Sequence, residues 1–169
     1  KALQCCFGED LCAIYDKSEG TAPYKAGLDL GDKYLWGDIG VDESVVCENG
    51  NKFSVNWKEG QKTGFFLDQR DNRSLVGEYA KGRDVLNMFC YTGGFSIYAL
   101  NNGVKSVVSV DSSAKAIEMV EKNVAINFPD GGVDHTSICV DALDYIKEIP
   151  KGKFDMIIVD PPAFAKHRG

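Results

Sequence analysis

From residue 75 onward the chain alternates two textures: short runs dense in Val, Ile and Leu, then stretches whose apolar residues recur every three or four positions. A wholly apolar run predicts a strand buried on both faces, and the three-to-four spacing predicts an amphipathic helix. The alternation therefore predicts βαβ units on a parallel sheet. Strands are expected over 85–89, 107–110, 137–140 and 154–159. Helices are expected over 94–101, from Ser113 to about 127, and over 142–148, the second with Ala116, Met119, Val120 and Val124 on its apolar face. Asp111-Ser112-Ser113 offers N-cap residues for that helix, Gly103 is placed to end the first, and Pro129-Asp130-Gly131-Gly132 is a turn. Four parallel strands make half of a doubly wound sheet, so the stretch is expected to be a fragment of a longer domain.

Before residue 60 the texture differs. Strand-like runs over 12–15, 44–47 and 52–57 alternate with Gly, Asp and Asn. Glu48-Asn49-Gly50-Asn51 carries the Asn-Gly signal of a type I′ hairpin, whose two central residues need positive φ. Residues 16–40, rich in Gly, Asp and Lys without clear periodicity, read as loop or irregular structure. The chain thus divides into a β-rich segment, 1–62, and the first half of an α/β domain, 63–169.

A length of 169 residues suits roughly one domain. With 44% hydrophobic and 26% charged residues the chain is an ordinary globular one, and extended disorder is excluded. It contains no apolar run of about 18 residues, and the apolar stretch near Lys1 is too short for a signal peptide. A cytoplasmic location is expected. The six cysteines show no C-x-x-C spacing, and only His135 and His167 could join them, which argues against a zinc site or a disulfide framework. A net charge of -6 argues against broad nonspecific nucleic-acid binding. From Lys62 to Arg83 the basic residues Lys62, Arg70, Arg73, Lys81 and Arg83 outnumber Asp68, Asp71 and Glu78, a weak patch that a solvated helix face also explains.

Ligands of open α/β sheets bind beyond the carboxyl ends of the strands. The first such end is Phe89-Cys90-Tyr91-Thr92-Gly93-Gly94-Phe95, where paired glycines allow a sharp turn and free helix N–H groups favour a carboxylate or phosphate. After the second strand stands Asp111, which could accept both hydroxyl hydrogens of a ribose or cap the next helix. Asp141 follows the third, within reach of an adenine amino group or as a cap. The fourth ends in Asp160-Pro161-Pro162-Ala163-Phe164, a rigid loop with an acid before it and an aromatic after it, able to hold a flat base or merely to terminate the strand. Together the four ends describe a pocket for an adenosine-bearing cofactor beside a nucleobase slot.

The blocks Gly64-Phe65-Phe66-Leu67-Asp68-Gln69-Arg70-Asp71-Asn72-Arg73, Val85-Leu86-Asn87-Met88-Phe89-Cys90-Tyr91-Thr92-Gly93-Gly94-Phe95, Ser109-Val110-Asp111 and Asp160-Pro161-Pro162-Ala163-Phe164, in this order, closely resemble class I S-adenosylmethionine-dependent methyltransferases. Within that superfamily the chain resembles bacterial large-subunit (23S) rRNA cytosine-C5 methyltransferases with an N-terminal PUA domain, over roughly 52–166. The resemblance implies a Rossmann-like class I methyltransferase sheet, partial here, preceded by a small β-rich domain that connects it to an RNA-binding domain. It implies S-adenosyl-L-methionine as cofactor and large-subunit rRNA as partner, with no membrane and with homodimerisation left open. The loop Phe89, Tyr91, Thr92, Gly93, Gly94 and Phe95 would wrap the methionine part. Asp111, with Ser112 beside it, would bind the ribose, and Asp141 with Ala142 would flank the adenine. Gln69 and Arg70 would help close the pocket, Arg70 by pairing with the cofactor's carboxylate or, alternatively, lying in a surface ion pair with Asp68 or Asp71. Asn87 stands where many superfamily members have an acid, and only Gly93-Gly94 remains of the G-x-G-x-G turn. Asp160, Pro161, Pro162 and Phe164 would form the target-base loop.

Methylation at cytosine C5 needs a cysteine thiolate that adds to C6. Cys90 sits in the cofactor loop and Cys139 inside a hydrophobic strand, so both read as structural, and the nucleophile is expected beyond Gly169. A chain ending there is expected to be inactive alone. Guanine-N7 methylation of the same RNA needs no such cysteine and is the near alternative. A nucleotide-dependent oxidoreductase would show G-x-G-x-x-G after the first strand, and a noncatalytic RNA-binding module would have no need of the cofactor residues.

Overall fold

The computed structural model describes residues 1–19 and 31–162. In chain order the elements are helix α1 (Ala2–Phe7), strands β1 (Ala13–Asp16), β2 (Lys33–Gly37), β3 (Glu43–Glu48) and β4 (Asn51–Asn56), then α2 (Arg70–Ala80), β5 (Asp84–Met88), α3 (Gly94–Asn101), β6 (Ser106–Asp111), α4 (Ala114–Asn127), β7 (His135–Cys139), α5 (Ala142–Glu148) and β8 (Met156–Val159). The chain forms two compact units, Lys1–Ser44 with Val55–Phe66, and Val45–Ser54 with everything from Leu67 onward.

In the first unit β1 and β2 pair antiparallel, with a register shift between Ile14 and Tyr15. Strand β2 corrects the expectation that 16–40 is irregular throughout. Its signal is weak because only Tyr34 faces inward, edge-on to Tyr15 at 5.0 Å, while Leu35 and Trp36 are exposed. The part of that expectation covering 20–30 lies outside the described residues. Lys17 Nζ donates to the carbonyls of Trp57, Lys58 and Gly60, each at 2.6 Å, and so gathers the turn after β4.

The second unit carries the sheet, ordered β7-β6-β5-β8 and parallel throughout. After β7 the chain returns to the far side of β5, so the strand order reverses between β5 and β8, and the crevice of this Rossmann-like sheet opens there. Alternation along each strand divides the core. Leu86, Met88 and Val110 meet Ala142 and Tyr145 of α5 on one face. Across the other face runs a buried polar chain: Asn87 Nδ2 donates to Ser96 Oγ (2.8 Å), Ser96 and Ser109 hydroxyls share a bond of 2.7 Å, and Ser109 Oγ lies 2.9 Å from His135 Nε2.

Burial lowers the pKa of His135 from 6.5 to about 4, against a smaller opposing pull from Asp134. A base whose pKa falls on folding binds its proton more tightly when unfolded. Stability is therefore complete above pH 6.5 and falls as the pH drops toward 4, by an amount on the order of 3 kcal/mol. Urea unfolding at pH 7 and 4.5 should show this loss, and His135→Gln should remove most of the difference. An equal pH dependence in the variant would assign the loss to other groups.

Helix α2 lies within 62–83, where the sequence suggests no more than a solvated helix face behind the basic residues, and the reason is physical. Its buried face holds Arg73, 3% exposed, with Gly77 and Ala80, while Leu75 and Tyr79 face outward, so no stripe of large apolar residues marks the buried side. It packs tightly on α3 at Gly77, where a β-carbon would stand 3.2 Å from the Tyr98 carbonyl oxygen. The hairpin β3–β4 turns at Asn49 and Gly50, with φ of 50° and 83°, as the Asn-Gly pair requires. Helix α4 completes the outer edge of β4 with two asparagines one turn apart. Asn123 Oδ1 accepts from Ser54 N (2.7 Å), and Asn127 exchanges bonds with Lys52 N (2.9 Å) and Lys52 O (2.7 Å).

Candidate functional site

The loop after β5 is held from several directions. Cys90 N donates to Val110 O (3.1 Å), and Gly93 N closes a turn on Cys90 O (2.8 Å). Phe89 and Tyr91 both adopt left-handed φ, 56° and 49°, a conformation that costs a side-chain-bearing residue energy and persists where its surroundings fix it. At Tyr91 the fixing contact is its N–H, which donates to Asp111 Oδ2 at 2.9 Å. The other carboxylate oxygen, Oδ1, accepts from Ser113 N at 3.0 Å. Asp111 thus bridges the loop after β5 and the turn after β6, and the cap of α4 is Ser113, whose hydroxyl accepts from Ala116 N.

Thr92 is buried, and its carbonyl accepts from Asn123 Nδ2 (2.8 Å). Gly93, at φ 78°, is the N-cap of α3 and carries no capping side chain. A β-carbon there would press on Val120 at 3.1 Å, and one at Gly94 would stand 3.1 Å from Arg73 Cδ. Helices α4 and α5, in contrast, are capped by Ser113 and Asp141 side chains. The first-turn N–H groups of α3, at the carboxyl ends of the strands, are thereby left for an anionic group.

Asp141 Oδ1 accepts from Leu143 N (2.8 Å) and Asp144 N (3.1 Å), so capping occupies one oxygen, and Ala142 behind it is buried. Ser112 is exposed beside Asp111. Asn87 lies inside, bonded to Ser96, and is not brought to the strand ends. Arg70 Nε lies 3.3 Å from Glu48 Oε2, a partner on the hairpin rather than Asp68 or Asp71. Gln69 Oε1 accepts from Asn72 Nδ2 at 2.7 Å. Gln69, Phe95 and Asp160 come together along an open groove of about 380 Å³, floored by Val76 and Ile158, on the β5–β8 side of the sheet. Pro161 and Pro162 follow as an exposed extension, and Phe164 lies outside the described residues.

Burial, with the Asp111 charge adding to it, pushes the Cys90 thiol far above its ordinary range, so it is inert as a nucleophile. Cys139, read from the sequence as interior to its strand, is exposed at the end of β7. The buried contacts of Glu48, Arg73 and Asn123 are not legible in the sequence; for Arg73 and Asn123 the one available signal is a polar residue at a core-facing helix position, and Glu48, at the end of β3, offers none. Among the described residues no helix is long and apolar enough to cross a membrane.

Comparison with known proteins agrees with this geometry. Residues 29–168 match the family described as S-adenosylmethionine-dependent methyltransferase. The chain is 44% identical over 163 residues to the ribosomal RNA large subunit methyltransferase I of Tolumonas auensis, covering 93% of this chain and 40% of that protein. With the protein of the same name from Pseudoalteromonas atlantica identity is 47% over 155 residues, covering 89% and 38%. Among solved structures it resembles SMU.776, described as a methyltransferase and complexed with SAH, with 33% identity and a TM-score of 0.70 over 79% of this chain and 36% of that one. The chain spans about 40% of the length of the curated relatives it matches. A parallel sheet reversing between β5 and β8, a glycine loop ahead of an uncapped helix and a carboxylate bridging the first two strand ends agree with the sequence match, and the chain belongs to the S-adenosylmethionine-dependent methyltransferase family.

Proposed function

We propose that the protein containing this chain methylates large-subunit ribosomal RNA in the cytoplasm with S-adenosyl-L-methionine, forming 5-methylcytosine through a cysteine beyond Gly169. The observation that carries the reading is Asp111. Its two oxygens each accept one backbone N–H, which fixes the carboxylate at the end of β6 and leaves each oxygen a further lone pair for a ribose hydroxyl. The uncapped start of α3 suits the cofactor's carboxylate, with the exposed side of Arg70 as a second cation. Phe89, Tyr91, Thr92 and Phe95 surround the methionine part, and Ser112, Asp141 and Ala142 the adenosine. When bound, the sulfonium supplies an electrophilic methyl group.

On this reading Asp160, Pro161, Pro162 and Phe164 hold the target base, and Asp160, where that loop starts, lies along the groove that Gln69 and Phe95 line. Residues 1–62 connect the sheet (63–169) to an RNA-binding domain of the PUA type. The relatives' shared name supports the RNA substrate, and the inert Cys90 thiol supports a nucleophile elsewhere. Incubating the full-length protein with unmodified large-subunit rRNA and labelled cofactor, followed by nucleoside mass spectrometry, should yield 5-methylcytosine. Appearance of 7-methylguanosine would instead assign guanine-N7 chemistry, and absence of any transfer to RNA would overturn the substrate.

A further inference from the structure

The hairpin β3–β4 lies far from the cofactor loop in sequence, yet two chains of contacts join them. The first starts at Glu48, the last residue of β3, which is 6% exposed. Arg73 grips its carboxylate with two bonds, Nε to Oε1 at 2.8 Å and Nη2 to Oε2 at 2.9 Å, and Tyr98 OH adds a third at 2.9 Å. With its guanidinium so fixed, the Arg73 stem lies against Gly94, where no side chain larger than hydrogen fits without displacement. The second chain runs from Ser54 N through the Asn123 amide to the Thr92 carbonyl. Glu48 therefore bears on the start of α3, and Ser54 on the turn just before it.

We propose that the hairpin is the scaffold of the glycine loop and that Glu48 is a positioning residue. Acting through Arg73, it sets where the α3 N-terminus stands and so how tightly the amino-acid end of the cofactor is held. The inference rests on the cofactor reading above. A buried carboxylate satisfied by an arginine fork and a phenol is costly to assemble, and a hydrophobic pair of the same volume would serve stability as well. What the fork adds is fixed geometry, since two parallel bonds define both the distance and the plane of the guanidinium. The Glu48–Arg73 chain ends at Gly94, whereas Asp111 is held by Tyr91 N and Ser113 N and Asp141 by its own cap, so the adenosine end should be indifferent to Glu48.

The experiment compares two probes, S-adenosylhomocysteine and adenosine, by calorimetry on the full-length protein, its Glu48→Gln variant and its Tyr98→Phe variant, with circular dichroism to verify folding. Tyr98→Phe removes one bond to the carboxylate without changing charge, and it carries the test should Glu48→Gln not fold. Affinity for S-adenosylhomocysteine should fall about tenfold in Glu48→Gln and less in Tyr98→Phe, with adenosine affinity within about twofold of the parent. Equal losses for both probes in a folded variant would show a general loosening and overturn the positioning role. Unchanged affinity for both would overturn it too. Failure of the unaltered protein to bind either probe would instead overturn the cofactor reading, and the inference with it.

Discussion

Arg73→Ala should destabilise the folded chain by about 3 to 5 kcal/mol, the range found when one partner of a buried ion pair is removed. The loss arises mainly at Glu48, which stays behind with its charge inside. Arg70, the other cation nearby, is half exposed and reaches it only at 3.3 Å, so it cannot replace a two-bond fork. Tyr98 donates a single bond. The exposed pair Lys147–Asp144 provides the control, since its groups meet at the same 2.8 Å but are 71% and 66% exposed. Lys147→Ala should cost far less than Arg73→Ala, because water solvates both charges once they part. Chemical denaturation at pH 7 measures both. A cost for Arg73→Ala no larger than that of Lys147→Ala would mean that the pair is not buried in solution. Replacing Glu48 and Arg73 together by Leu and Met should recover most of the loss, because no stranded charge then remains.

The same pair shows what could and could not be seen in the sequence. Strands β5, β6 and β8 were legible by their runs of Val, Leu, Ile and Met, whereas β7 is mostly polar; all four lie within a few residues of the expected runs. Strand-end residues were legible for a related reason. Topology brings the carboxyl end of each parallel strand to the crevice, so Asp111 and the Phe89–Phe95 loop could be found from strand boundaries alone. Helix α2 was hidden because its buried face holds an arginine, a glycine and an alanine, and nothing near Arg73 in sequence indicates that its counter-charge stands 25 residues earlier in a hairpin. Asn123 was hidden in the same way. Its periodicity marks a core-facing site, but its two partners, Ser54 and Thr92, lie 69 and 31 residues away. Sequence patterns report which face of an element is buried, and they do not report which distant polar group satisfies it.

If Asp111 accepts from two ribose hydroxyls as proposed, Asp111→Ala should weaken S-adenosylhomocysteine binding by about 100-fold or more, since hydrogen bonds to a charged group contribute about 1.5 to 3 kcal/mol each. The carboxylate also holds the loop. With Oδ2 gone, Tyr91 loses the hydrogen bond that helps to hold it at φ 49°, a conformation that costs a side-chain-bearing residue energy. Asp111→Asn separates the two contributions. An amide offers one acceptor where the carboxylate offers two, and both carboxylate oxygens already face backbone donors, Tyr91 N and Ser113 N. Whichever way the amide turns, one N–H meets another N–H. The asparagine variant should therefore bind about 10-fold or more weakly despite its near-identical shape, and Asp111→Glu, which keeps the charge but not the distances, should not restore the affinity. NADH is the reference ligand, and it should not compete. Calorimetry on the full-length protein decides the matter. A loss below about threefold for Asp111→Ala would remove the ribose from this carboxylate and leave Asp111 a purely structural bridge between β5 and β6.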